Sequence, residues 1–237
     1  EIHRLPGHGD LGGRRAVVFT PDGQTFHSFG DDFWLRTFDF RTGKVLAEHQ
    51  FQPDPDPSID VARFSPDGRH LVIGIGLGKL YIFDVATGKE VRILENDGSH
   101  IRSVDFSPDS RLLLASASGK QQQIPLPDGG TRDITANEQP VTIWDVETGT
   151  CVNSLLLSGK GVGIAIFTPD GEQFAVVSRQ PNRRITVYGL DGKERYAIDD
   201  IPHPVLSLAF TPDGTMLIGG LNDTSALVWD LKQFDKR

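Results

Sequence analysis

Residues 61–91 read VARFSPDGRHLVIGIGLGKLYIFDVATGKEV, and the reading of this stretch decides the fold. Short runs of β-branched and aromatic residues alternate with turn chemistry. Val61 to Phe64 meets a Ser65-Pro66-Asp67-Gly68 turn, Leu71 to Ile75 follows, and Leu80 to Phe83 leads through Thr87-Gly88 towards Val91. Runs of this length and composition, bounded by Gly, Pro, Asp and Ser, predict four consecutive strands. One four-stranded sheet cannot bury both of its faces, so copies of it must stack.

The copies are present along the chain. Phe-Ser/Thr-Pro-Asp followed by Gly or Ser occurs at 19–23, 64–68, 106–110, 167–171 and 210–214. Proline presets φ for the second position of a type I turn, Asp suits the third, and Gly takes the left-handed position that closes a hairpin. Ser110 replaces that glycine in the third copy, which predicts local strain there. Apolar residues stand two and five positions before the Phe in most copies, as at Ala62 and Ile59 or Val104 and Ile101. A step of three where alternation demands two predicts a β-bulge in each first strand. Further on, an aromatic residue usually followed by Asp ends a third strand: Phe38-Asp39, Phe83-Asp84, Trp144-Asp145, Tyr188-Gly189 and Trp229-Asp230.

VTIWDVETGT at 141–150 and SALVWDL at 225–231, each downstream of a Phe-Ser/Thr-Pro-Asp turn, resemble WD40 repeats, and the resemblance covers nearly the whole chain. It implies an all-β fold, a β-propeller of four-stranded antiparallel blades forming a single domain over residues 1–237. The family's His, Ser/Thr, Asp and Trp tetrad is only partly kept. His8, Ser28 and Asp31 or Asp32 come closest in the first copy, where Phe38 takes the place of Trp. Glu1 to Leu5 resembles the fourth strand around Glu90 to Leu94, whereas the last copy stops after its third strand. Five blades closed by the N-terminal strand are expected; the alternative is a fragment of a seven-bladed ring. Closure of this kind protects sheet edges. Residues 118–140 interrupt the period and are expected to form a long loop carrying a small hairpin around Pro127-Asp128-Gly129-Gly130.

Composition narrows the function. With 38% hydrophobic and 24% charged residues, the chain has the make-up of an ordinary soluble globular protein. A net charge of -8 argues against nucleic acid as a partner, because phosphate binding needs a basic face. No run reaches the roughly 18 apolar residues of a membrane span, so no membrane insertion is expected. Cys151 is the only cysteine, which rules out an intrachain disulfide and fits a reducing, cytoplasmic location.

No nucleophile elbow, phosphate-binding loop or dinucleotide fingerprint appears, and the seven histidines lack metal-ligand spacing. No catalytic residue, metal or cofactor is therefore assigned. His8, His100 and His203 precede first strands, where the WD40 resemblance implies a structural histidine. Gly74 to Gly78 reads as a tight connection between strands, because no helix follows to receive a phosphate.

Alternation along a blade brings the loops between second and third strands, and between fourth and next first strands, to one end. That end carries the candidate partner-binding residues Arg14, Arg15, Trp34, Asp54, Asp56, Arg179, Arg183 and Arg184. Arginine and tryptophan suit interfaces through bidentate pairing and stacking. The expected function is a non-catalytic scaffold or recognition module for a protein or peptide, with further domains in the same polypeptide possible. The alternatives are an enzyme or small-ligand propeller with a site in its central channel, and a structural repeat packed on a neighbouring domain.

Overall fold

Each Phe-Ser/Thr-Pro-Asp pentapeptide closes a hairpin in the computed structural model, which describes residues 16–30, 32–51, 59–96, 100–119, 121–125, 131–135, 138–158, 161–178 and 183–234. The second copy shows the chemistry. The Gly68 amide donates to the Ser65 carbonyl at 2.9 Å, and the Ser65 hydroxyl donates to Asp67 Oδ1 at 2.6 Å. Asp67 Oδ1 also accepts from the Arg69 amide at 3.0 Å, and the His70 amide donates back to Ser65 Oγ at 2.9 Å. The hydroxyl and carboxylate therefore satisfy backbone donors that a bare turn leaves to solvent. At the closing position Gly68 has φ +72°, and Ser110 in the third copy adopts φ +64° without glycine's freedom.

The chain divides into two compact units, Glu1–Glu95 and Asn96–Arg237. The first holds two four-stranded antiparallel sheets. One comprises β1 (Ala16–Phe19), β2 (Thr25–Phe29), β3 (Trp34–Asp39) and β4 (Val45–Gln50); the other comprises β5 (Ile59–Phe64), β6 (His70–Ile75), β7 (Lys79–Asp84) and β8 (Glu90–Glu95). A single 3-10 turn at Gly76–Gly78 connects β6 to β7, as the glycine-rich sequence suggested. Phe29, Leu35 and Phe51 of the first sheet pack on Phe64, Leu71, Ile73, Tyr81 and Phe83 of the second.

The second unit holds a third sheet, in which β9 (Ile101–Phe106) and β10 (Leu112–Ala117) join β13 (Glu138–Asp145) and β14 (Cys151–Ser158). Between them β11 (Gln121–Pro125) and β12 (Thr131–Thr135) form a separate two-stranded hairpin. The hairpin expected within 118–140 is present, but the loop is shorter than its expected bounds. Gln139 and Pro140 already pair with Leu157 and Leu156, because β14 is long enough to extend the ladder. The fourth sheet is β15 (Val162–Phe167), β16 (Gln173–Ser178), β17 (Arg184–Gly189) and β18 (Glu194–Ile198). The fifth has three strands among the described residues: β19 (Val205–Phe210), β20 (Met216–Leu221) and β21 (Ala226–Asp230). The N-terminal strand expected at Glu1 to Leu5 lies outside the described residues.

The sheets have the antiparallel topology expected of propeller blades. The predicted bulges occur in β5, β9, β15 and β19, where the register slips near the strand start. A bulge leaves backbone groups without ladder partners, and in the second unit the neighbouring sheet supplies them. Gln139 Oε1 accepts from the Val162 amide at 2.7 Å, and Ser116 Oγ donates to the Gly163 carbonyl at 2.7 Å. Further along the same strand, buried Asp105 accepts from the Phe167 amide at 2.8 Å. Leu114, Val141 and Ile143 pack on Phe167, Phe174 and Val176 across this joint. Ala175, Val187 and Ile198 pack in turn on Leu217 and Trp229 of the fifth sheet.

Candidate functional site

Backbone hydrogen bonds pin the two kinds of connecting loop together at one end of the sheets. In the first sheet the Phe51 amide donates to the Phe33 carbonyl at 2.9 Å. In the third the Ser118 amide donates to the His100 carbonyl at 2.9 Å, and in the fifth the Asn222 amide donates to the Pro204 carbonyl at 3.0 Å. The opposite end is made of turns. There the carboxylate that follows the third-strand aromatic caps the next turn: Asp84 Oδ1 accepts from the Thr87 amide and hydroxyl, both at 2.7 Å. Asp39 does the same with Thr42, and Asp145 with Thr148. These hydrogen bonds hold the carboxyls of Asp39 and Asp84 below the usual carboxylate range.

At the loop end of the first sheet, Trp34 opens β3 opposite Gln50 and is half-buried. Phe33 before it has φ +58°, an uncommon conformation for an aromatic residue. The Asp32 carboxylate accepts from the Trp34 amide at 3.2 Å and also takes Arg36 Nη1 at 2.9 Å. Arg36 Nε reaches Glu48 at 2.9 Å, and its guanidinium lies 5.6 Å from the centroid of the Trp34 ring. The indole is thus backed by a cation that two carboxylates hold in place.

In the second unit Arg184 opens β17. Its Nη2 donates to Glu194 at 2.7 Å and its Nε lies 3.1 Å from Asp199. Arg183 Nη1 donates to the Pro202 carbonyl at 2.6 Å. Arg183 bridges the loop before β17 to the loop after β18, and Arg184 ties the start of β17 to β18 and to the loop after it, so both shape this loop end as well as presenting charge there. His203 Nε2 lies 3.3 Å from Asp223 in the fifth sheet, joining the corresponding two loops. Hydrogen bonds from the Ser225 hydroxyl and amide lower the Asp223 carboxyl, and His203 adds to the effect.

Of the candidate residues, Trp34, Arg183 and Arg184 are placed; Arg14, Arg15, Asp54, Asp56 and Arg179 lie outside the described residues. Sequence reasoning missed Arg36 and Glu48 and read Asp32 only as a candidate for the structural tetrad, although the alternation of Asp32, Trp34 and Arg36 was a usable signal. It also missed the third sheet's polar cluster. There Trp144 Nε1 and Asn96 Nδ2 both donate to Thr142 Oγ1, at 2.9 Å and 3.0 Å, with Asn96 and Thr142 buried.

Among the described residues no three His, Cys, Asp or Glu side chains gather as a metal site, and no helix is long and apolar enough to cross a membrane. At the turn end of the second unit a cleft of about 480 Å³ is lined by Pro169, Asp170, Tyr196, Pro212, Asp213 and Lys232. Its carboxylates are engaged by their own turns, Asp170 by Thr168 and Asp213 by Thr211 and Thr215.

Repeated four-stranded sheets with tied loop ends define a repeat protein of the β-propeller class. The family model described as "WD domain, G-beta repeat" matches residues 88–121 and 199–230. A guanine nucleotide-binding protein subunit beta of Oryza sativa subsp. indica is 34% identical over 125 residues, covering 49% of this chain and 33% of that protein. Transducin beta-like protein 3 of Rattus norvegicus is 26% identical over 200 residues, covering 73% of this chain and 25% of that protein. Actin-interacting protein 1 of Drosophila melanogaster is 24% identical over 178 residues, covering 73% and 26%. The chain thus carries two stretches that match the WD-repeat model, and it spans a third or less of the length of these three relatives.

Proposed function

We propose that the chain is a non-catalytic scaffold that binds a protein or peptide through the loop end of its sheets. The observation that carries this reading is the Trp34 site: a half-buried indole at the start of β3, backed by Arg36, which Asp32 and Glu48 hold in place. An aromatic anchor fixed before binding loses little entropy on complex formation. The names of the similar proteins support the reading in general terms, as a G-protein subunit and an actin-interacting protein. Arg183 and Arg184 would add contacts from the second unit, and Arg14, Arg15, Asp54, Asp56 and Arg179 are further candidates on the flanking loops.

A single propeller over 1–237, with Glu1 to Leu5 supplying the fourth strand of the fifth sheet, is the architecture proposed for this scaffold. The position of β21 as the last described strand of its sheet supports it.

The test is affinity capture with the full chain, identification of the captured protein and titration of the purified pair. Trp34→Ala is expected to weaken binding by about tenfold or more, as loss of an aromatic hot spot does. Charge reversal at Arg183 and Arg184 is expected to weaken it as well. Unchanged affinity in both variants would remove this surface from consideration.

A further inference from the structure

The fourth and fifth sheets, both within the second unit, leave a cleft at their turn end, and other joints show what fills the same place elsewhere. Between the first two sheets, the turn after β7 brings Gly88 onto His49 of β4. Between the third and fourth, the turn after β17 brings Gly192 onto Asn153 and Leu155 of β14, and Asn153 Nδ2 donates to the Leu190 carbonyl at 2.9 Å. The fifth sheet has no such glycine turn among the described residues. After Asp230 the chain enters the 3-10 turn Leu231–Gln233, and Phe234 stacks on Tyr196 of β18 with ring centroids 5.3 Å apart and planes at 13°. The space left beside this stack is the cleft of about 480 Å³.

Tyr196, Pro169, Pro212 and buried Leu231 give the cleft flat, largely apolar walls. Asp170, Asp213 and Lys232 give it charge. Asp170 Oδ1 takes both bonds of its own turn, from the Thr168 hydroxyl at 2.6 Å and the Glu172 amide at 3.0 Å, which leaves Oδ2 open to a further donor. Thr211 and Thr215 hold Asp213 and keep its carboxyl below the usual carboxylate range, so it is charged at neutral pH. Neither carboxylate forms an ion pair among the described residues, although Arg184 and Arg195 of the fourth sheet are paired with Glu194, Asp199 and Asp191. Glu172 and Asp230, adjacent in sequence to lining residues, add negative charge, and Lys232 is the one basic side chain in the lining.

We propose that this cleft takes an arginine side chain from an extended segment of a partner protein. Two carboxylates without a counter-ion call for a cation, and the flat walls select a planar one. A guanidinium stacks on such rings and pairs with carboxylates through several donors, whereas an ammonium is a point charge. The site lies at the turn end of its sheets and is distinct from the loop ends that carry the proposed scaffold function.

The experiment is titration of the nitrogen-15-labelled full chain with the peptide Ac-Gly-Arg-Gly-NH2, followed by two-dimensional NMR, with Ac-Gly-Gln-Gly-NH2 as the uncharged control. The arginine peptide is expected to shift the amides of Gly214, Thr215 and Lys232, and the glutamine peptide is not. Asp170→Asn keeps an oxygen acceptor for the turn and removes the charge, so it is expected to weaken binding about threefold, the worth of an exposed ion pair. Lys232→Gln is expected to tighten binding by a similar factor, because it removes a like charge. A folding defect would not produce that gain. Absence of shifts at the cleft, equal binding of the glutamine peptide, or unchanged affinity in both variants would overturn the proposal. Trp34→Ala is expected to bind the peptide as the wild type does, so failure here leaves Trp34-dependent partner binding standing.

Discussion

The imidazole of His49, on β4, lies over Gly88, in the turn after β7, so closely that a Cβ at Gly88 would come within 3.0 Å of His49 Cβ, Cγ and Nδ1. Gly88 also has φ +66°. The fourth strand of one sheet thus packs on a turn of the next, and glycine is required there twice, for conformation and for space. Gly88→Ala is expected to cost about 2–4 kcal/mol, combining a left-handed penalty with overpacking. Gly23 has the same φ of +66°, but a Cβ added there would meet nothing within 4 Å, so Gly23→Ala should cost only about 1–2 kcal/mol. Chemical denaturation of the two variants checks the difference.

Ser110 gives a prediction of opposite sign. It occupies with φ +64° the position that glycine holds in the other four pentapeptides. Ser110→Gly should raise stability by up to about 1 kcal/mol through relief of that strain, measured as a shift in the denaturation midpoint at unchanged slope.

Acid should weaken the fold in two stages. Burial lowers the pKa of His27 from its ordinary 6.5; its Nδ1 lies 2.9 Å from Thr37 Oγ1 and its ring packs near Phe64. The folded state favours the neutral ring, so the unfolded chain binds more protons as the pH drops. This contribution is complete above 6.5 and is lost as pH falls through the lowered folded-state value. The turn carboxylates Asp39 and Asp84 are lowered from 3.8, chiefly by the Thr42 and Thr87 hydroxyls, so their contribution is present above 3.8 and is lost at lower pH. Melting temperature should therefore begin to decline below about pH 6.5 and fall again below about pH 4. His27→Gln should flatten the first decline and leave the second.

Arg36 should matter to both stability and Trp34. Its side chain is 13% exposed and pairs with two carboxylates, so Arg36→Ala would leave Asp32 and Glu48 without their shared cation. A loss of about 1–3 kcal/mol is expected, together with a change in Trp34 emission. The emission change can be isolated by comparison with the same substitution in a Trp34→Phe background.

Most of the fold was legible because turn and strand chemistry are local. Phe64 to Gly68 specify a hairpin whose hydroxyl, carboxylate and glycine act within a few residues, and the repeated step of three announced the bulges in β5, β9, β15 and β19. The site was less legible. Trp34 was singled out by residue type and its place at the loop end, whereas its backing by Arg36 depends on the pairing of β3 with β4, which brings Glu48 opposite Arg36. Arg183 and Arg184 were read as charges available to a partner, yet each already holds Pro202, Glu194 or Asp199.

By itself, then, the amino-acid order determined the repeat, its turns, the four-stranded unit and the kinship with WD40 proteins, since each rests on contacts between near neighbours in the chain. Only the tertiary structure decided which side chains are already engaged. Ala175 and Val187 are buried because Leu217 and Trp229 of the next sheet pack on them, which nothing in their own local pattern announces. Burial is a property of the neighbouring sheet, and a sequence motif states only what a residue is ready to meet.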